Sequence, residues 1–303
     1  MKVLITGSNG LLGQKLVDYC LSTKIDFVPT SKGENRNSKC PDDRYVVMDI
    51  TNREEVLKVI SDVNPTHVIH TAAMTNVDQC ELNPKDCELI NVTATKYLVE
   101  ACNKVNAHFQ LLSTDFVFDG EKGNYSEEDE MNPLSAYAKS KVDAEAIVNK
   151  ESTTDNSIVR TIIVYGNAEN LTKSNIIAWA KSALEKGDPL TIVDDQFRAP
   201  TWAEDLAAGC MGVFENNQTG IFHVSGPETM SIFDLVLRIG KHFGLKTDQV
   251  SKISSSTLNQ AAKRPPKTGF DLSKAYGQIE YKPHTLEETL TVLYPNYTQE
   301  TLR

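Results

Sequence analysis

This chain has no apolar run approaching the roughly 18 residues that a membrane-spanning helix requires. Ahead of a glycine-rich turn the N-terminus offers only Val3 to Ile5, too short for a secretory leader, so it reads as a buried first strand and a cytoplasmic enzyme is expected. Basic clusters are missing too. Lys and Arg total 31 against 41 Asp and Glu, a formal net charge of -10, and no basic stripe is present to displace counterions from a nucleic acid. A small anionic ligand is still compatible with an acidic protein, because a local pocket can be positive. The cysteines Cys20, Cys40, Cys80, Cys87, Cys102 and Cys210 are scattered, with no C-x-x-C pair and no histidine cluster beside them. They read as reduced, core-packed thiols, which excludes a disulfide framework and a zinc site. Internal repeats and low-complexity tracts are absent.

What is present is an alternation. Short β-branched runs at Val3–Thr6, Phe27–Thr30, Tyr45–Met48, His67–His70, Phe109–Ser113 and Ile158–Val164 are separated by helical patterns at Leu11–Cys20, Val56–Val63, Pro84–Val105 and from Tyr137 to Asn149. Thr51-Asn52-Arg53-Glu54 reads as a capping box opening the second helix. This order predicts an α/β fold: a doubly wound parallel sheet of the Rossmann type with crossover helices. With 303 residues there is room for more than one core. We expect a nucleotide-binding domain over 1–165 and a smaller C-terminal α/β lobe over 166–303, with segments around 190–225 returning to the first. In that lobe helices are expected at Asn175–Lys186, Glu204–Phe214, Ser231–Phe243 and Leu286–Leu293, and strands at Leu190–Val193 and Ile221–Val224. The acidic run Glu127–Glu130 reads as a solvated loop.

Gly7, Gly10 and Gly13 follow the first strand, with Asn9, Leu11 and Leu12 between them. Glycines there permit a sharp turn, close approach of a pyrophosphate, and a helix N-terminus aimed at the phosphates. Strand two ends Pro29-Thr30-Ser31-Lys32 without the acid that holds a ribose 2′-hydroxyl in NAD sites. Thr30, Ser31 and Lys32 can instead hold a 2′-phosphate through charge-assisted hydrogen bonds. NADP(H) is favoured, with NAD(H) as the alternative. Further along stand Ser113-Thr114-Asp115 and Tyr137-Ala138-Lys139-Ser140-Lys141. Tyr137 and Lys141 are four apart and share a helix face. A phenol, whose ordinary pKa is near 10, can then serve as proton donor with the ammonium drawing it down, while Thr114 polarises a carbonyl.

These motifs, in this order, resemble the extended short-chain dehydrogenases/reductases. The resemblance implies that Asp49, with Ile50 beside it, faces the adenine, that Thr71, Ala72 and Ala73 lie under the cofactor, and that Asn91 braces the active-site backbone. A narrower likeness follows from Ser113-Thr114-Asp115-Phe116-Val117-Phe118-Asp119-Gly120, Val164-Tyr165-Gly166, Asp195-Gln196, Pro200-Thr201, Glu204-Asp205-Leu206-Ala207, Gly220-Ile221-Phe222-His223-Val224-Ser225-Gly226 and Arg264-Pro265. Together they resemble the dTDP-4-dehydrorhamnose reductases over almost the whole chain. The likeness implies a nucleotide-diphosphate sugar as substrate, Asp115, Phe116, Gln196, Arg198 and Arg264 on its side of the site, and a homodimer. The chain departs from that family at Phe116, where many members carry Tyr, and at Arg198, which replaces a glycine. It also lacks a tryptophan often found before Tyr165. Lys15 stands where some members have an acid that binds magnesium, so no metal is expected. Phe116 in place of an acid argues against a dehydratase, and the missing strand-two acid against an epimerase. A reductase or epimerase on another sugar nucleotide stays open, as does a regulatory role like that of the methionine adenosyltransferase subunit, which resembles the same family.

Overall fold

The computed structural model describes residues 1–171, 174–295 and 297. The first half runs β1 (Lys2–Thr6), α1 (Leu11–Thr23), β2 (Asp26–Ser31), β3 (Val46–Val47), α2 (Arg53–Val63), β4 (His67–His70), α3 (Val77–Leu82), α4 (Pro84–Glu88), α5 (Ala94–Val105), β5 (His108–Thr114), β6 (Gly123–Tyr125), α6 (Ala136–Glu151), β7 (Asn156–Thr161) and β8 (Val164–Tyr165). The second half runs α7 (Ile176–Lys186), β9 (Leu190–Val193), β10 (Phe197–Arg198), β11 (Thr201–Trp202), α8 (Ala203–Glu215), β12 (Gly220–His223), β13 (Met230–Ser231), α9 (Ile232–His242), β14 (Val250–Ile253), β15 (Thr268–Phe270), α10 (Ser273–Gln278) and α11 (Leu286–Leu293).

Seven parallel strands form the main sheet in the order β12-β7-β5-β4-β1-β2-β3, so the expected doubly wound fold is present. Buried on both faces, its strands are near-continuous apolar runs: Val3, Leu4, Ile5, Val68, Ile69, Ile158 and Val159 are all inaccessible to solvent. Helices α1 and α8 cover one face, and α2, α5 and α6 the other. The chain therefore returns to the sheet late, when β12 pairs with β7 in the register Ile221↔Ile158. A separate core of Leu184, Leu235, Val236, Ile239, Phe243 and Leu290 gathers α7, α9 and α11.

Several expectations are corrected. Asn52, not Thr51, caps α2, accepting from the Glu55 N–H at 3.3 Å. The Thr51 hydroxyl is engaged by Asp49 Oδ1 at 2.7 Å, and the returning side chain is Glu55, which accepts from the Asp49 N–H at 3.1 Å. The helix expected from Pro84 to Val105 contains a widened π turn over Leu89–Thr93. The strand expected over Ile158–Val164 breaks at Ile162 and Ile163. There Thr201 takes both carbonyls, its hydroxyl donating to Ile162 O at 2.5 Å and its N–H to Ile163 O at 3.0 Å. Ile163 is left at φ 30, a backbone region that a β-branched residue seldom enters.

Candidate active site

A cleft of about 670 Å³ opens at the carboxyl ends of β1, β4, β5 and β7, where the strand order reverses and ligands bind in open α/β sheets. Its floor at one end is the glycine turn. Gly7 has φ +69, and a Cβ there would stand 2.8 Å from Ala72 N. A Cβ on Gly13 would meet Gly7 O at 2.3 Å, so only glycine lets α1 pack this tightly on the turn. Gly10 begins α1 without any side-chain cap. The first-turn N–H groups and the positive end of the helix dipole are thus available to an anion. Leu11, Leu12, Thr71, Ala72 and Ala73 line the same end. A pyrophosphate fits this cradle.

Asn9 holds the loop that follows β2. Its Nδ2 donates to Glu34 O at 2.8 Å and to the Tyr45 hydroxyl at 3.1 Å, while its Oδ1 accepts from Arg36 N at 2.8 Å. From the opposite side Glu169 accepts from Ser38 N and Oγ, and Asn170 donates to Arg36 O at 3.1 Å. This places Arg36 on the cleft wall with Ser31 and Asn9. Arg36 belongs to none of the motifs in the sequence, and its place depends on contacts to residues far along the chain. Lys32 lies in a smaller adjoining cavity of about 220 Å³ with Asp49, Ile50, Ala72 and Ala73. Its ammonium is exposed and 2.8 Å from Asp49 Oδ2. Thr30, in contrast, is turned away from the cleft, its hydroxyl donating to Ile5 O at 3.2 Å.

At the other end Thr114, Asp115, Phe116, Tyr137, Lys141 and Ile163 converge. Tyr137 and Thr114 face each other across this end, the Thr114 hydroxyl donating to Asp115 Oδ1 at 3.0 Å, and the Tyr137 ring packs against Cys80, Cys87 and, edge-on, Phe116. Burial pushes the phenol well above its ordinary pKa, and the Asp115 carboxylate adds to the effect. Sequence reasoning expected Lys141 to draw it down, but in this fold burial outweighs every other influence. The same burial lowers Lys141 to about 8 against an opposing pull from Glu145. Asn91 is buried in the π turn, where it accepts from Met74 N at 2.8 Å and donates to Met74 O at 3.1 Å and Ser140 Oγ at 2.9 Å. It ties the loop after β4 to the helix bearing Tyr137 and does not itself line the cleft.

The other expected substrate residues are placed differently. Arg198 is buried and donates to Phe197 O at 2.7 Å and Pro265 O at 2.6 Å, with its guanidinium over the Phe116 ring and 3.7 Å from Asp115 Oδ2. Arg264 forms a two-pronged pair with Asp78, at 3.2 and 2.7 Å, that fastens the loop before β15 to α3. Gln196 is buried beside β10, and its carbonyl receives the Ile232 N–H. None of these three lines the cleft. Asp115 and Phe116 do. A magnesium ion does not fit the position of Lys15, whose own ammonium sits 3.0 Å from Glu204 Oε1. Among the described residues no group of His, Cys, Asp or Glu is arranged to hold a metal ion, and no helix is long and apolar enough to cross a membrane.

The family model described as the RmlD substrate binding domain matches residues 1–299. This chain belongs to that family. Among its curated relatives is a probable low-salt glycan biosynthesis reductase, Agl14, of Haloferax volcanii, 30% identical over 297 residues and spanning 97% of both chains. The methionine adenosyltransferase 2 subunit beta of Rattus norvegicus is 28% identical over 278 residues, 90% of this chain and 81% of that protein. In three dimensions the chain is similar to dTDP-4-dehydrorhamnose reductase from Bacillus anthracis in complex with NADP. The TM-score is 0.84 and the identity 27%, covering 97% of this chain and 98% of that one. The expectation of an NAD(P)-dependent oxidoreductase of this family agrees with these relatives, as does the choice of NADP(H).

Proposed function

We propose that this RmlD-family protein reduces the 4-keto group of a nucleotide-diphosphate deoxysugar with NADPH, converting dTDP-4-dehydro-L-rhamnose to dTDP-L-rhamnose. The observation that carries the reading is the buried Tyr137–Thr114 pair at the end of a cleft that begins in an uncapped glycine turn. NADPH, when bound, supplies the hydride. Gly7, Gly10, Gly13 and the first turn of α1 would hold its pyrophosphate. Ser31, Lys32 and Arg36 would take the 2′-phosphate, and Asp49, Ile50, Ala72 and Ala73 would wall the adenine.

The protein's own residues then manage one proton. A keto oxygen seated between the Thr114 and Tyr137 hydroxyls accepts a hydrogen bond from each, and Tyr137 transfers its proton as negative charge develops there. Burial favours the donor role, because it keeps the phenol protonated far above neutral pH. Lys141, one helical turn away, faces the same cleft and steadies the resulting phenolate. Phe116 carries no proton and leaves Tyr137 as donor.

The test is loss of NADPH absorbance when purified protein meets dTDP-4-dehydro-L-rhamnose. Turnover with formation of dTDP-L-rhamnose supports the reading. The similarity to a methionine adenosyltransferase subunit supports a second, non-catalytic reading. Tight NADPH binding without turnover, together with binding to a methionine adenosyltransferase catalytic subunit, would decide for it.

A further inference from the structure

An acid on α6 is buried in the protein behind the reacting groups. Glu145 lies one helical turn beyond Lys141, and both it and Arg160 of β7 are almost wholly buried. Arg160 Nε donates to Glu145 Oε1 at 3.0 Å and Nη2 to Oε2 at 2.7 Å. Oε1 also accepts from the Ser113 hydroxyl at 2.5 Å, the residue immediately before Thr114. The guanidinium is stacked 5.2 Å from the Phe118 ring centroid, with Nη1 3.4 Å from His223 Nε2. A buried ion pair is a costly way to join a helix to a sheet, since matched apolar residues often do it as well. What an apolar pair could not provide is negative charge beside Lys141 and a hydrogen bond to the Thr114 end of β5.

We propose that Glu145 is a positioning residue for the reduction: it sets a carboxylate one helical turn behind Lys141 and holds Ser113-Thr114 against the helix that carries Tyr137. This deepens the reductase reading and rests on it. The groups around Lys141 leave few substitutes. On α6 they are Tyr137 and Glu145, and on α4 Cys87. On β4 His70 is held neutral, burial having lowered it to about 3. From the end of β5 come the uncharged Ser113 and Thr114, and just beyond it Asp115, whose charge acts on Tyr137. Burial alone drives the lysine toward its neutral form, and Glu145 is the largest influence acting the other way.

The experiment follows Lys141 directly, by NMR of protein labelled at lysine Cε, with a Lys141→Met variant to assign the signal. In Glu145→Gln the midpoint of the Lys141 titration should fall by at least one pH unit, a tenfold loss of proton affinity, and the alkaline limb of kcat for NADPH-dependent turnover should move down with it. Should that variant fold poorly, Glu145→Gln/Arg160→Met removes both charges, and its lysine midpoint should still fall below the wild-type value. An unmoved midpoint in a folded variant overturns the proposal, as does a shifted midpoint with an unmoved alkaline limb. A wild-type protein that turns over no sugar nucleotide would count against the reductase reading, while the lysine titration would still decide whether Glu145 maintains the cation.

Discussion

The two ends of the cleft are built from different materials. At the cofactor end the contacts come from main chain and small side chains: the Gly7–Gly13 turn, the uncapped start of α1, and Ala72 and Ala73 on the continuation of β4. At the other end they come from larger side chains, Thr114, Phe116, Tyr137 and Lys141, backed by Arg198, which lies behind the wall on a two-residue strand and is bound to the carbonyls of Phe197 and Pro265. A backbone cradle recognises what every dinucleotide shares and tolerates little change. A side-chain wall can be rebuilt without disturbing the sheet, so specificity can vary there while the fold stays constant.

Four measurements would break or sharpen that contrast. The largest effect is expected from Tyr137→Phe, which removes the proposed proton donor and leaves the cradle intact: kcat should fall by about 10³-fold while the dissociation constant for NADPH, read by fluorescence, changes little. Equal losses in both would place Tyr137 in binding. Next is Gly13→Ala, whose new methyl group has backbone atoms as neighbours and cannot be accommodated by a rotamer change. It should lower unfolding free energy by about 3 kcal/mol and abolish NADPH binding, whereas unaltered binding would show that the turn can shift. Third, acid should attack the main sheet. Burial lowers His70 and His223 to about 3 and His108 to about 4 from the ordinary 6.5. Below pH 6.5 these imidazoles take up protons in the unfolded chain and not in the native one, so stability is complete above that pH and declines as pH falls toward 4. Each should contribute a loss of about 2 kcal/mol near pH 5, measured by urea unfolding at pH 5 and pH 7. The smallest effect is expected at the adenosine ribose. Arg36→Ala should raise the KM for NADPH about tenfold with little change for NADH, and Lys32→Ala should do less, because Asp49 already shares the charge of Lys32. The reverse ranking would assign the 2′-phosphate to Lys32.

That same contrast governs what could be read before the fold was seen. The sheet strands were legible because burial on both faces forces apolar runs, and the glycine spacing because a Cβ at Gly7 or Gly13 has no room. Tyr137 and Lys141 were legible because their helical spacing follows the glycine turn and Ser113-Thr114-Asp115 in an order that resembles the extended short-chain dehydrogenases/reductases. Arg36 was not, since its place on the wall comes from Asn9 and Asn170, more than twenty and more than a hundred residues away in sequence. Nor were β6, β10, β13 and β15, too short to show any periodicity. Arg198 and Arg264 were recognised as important cations, but their hydrogen-bond partners are backbone carbonyls and Asp78, and nothing in composition or spacing announces such pairings. The break after β7 escaped notice because Ile162-Ile163-Val164 is as β-prone a tripeptide as any in the chain. Only the Thr201 bonds explain why it does not continue as strand.

The π turn at Leu89–Thr93 gives the molecule a phase offset. A widened turn rotates everything beyond it relative to what precedes it, and here that rotation lets one helical segment satisfy the core through Ala94, Leu98 and Cys102 while Asn91 faces Met74 and Ser140. A single-residue deletion that restored regular winding would swing one side of the segment by roughly 100° about its axis. Either the core stripe or the asparagine would then lose its address. An editor of this chain, natural or human, can therefore make that helix more regular only by displacing the core stripe or by severing the loop after β4 from the helix that carries Tyr137.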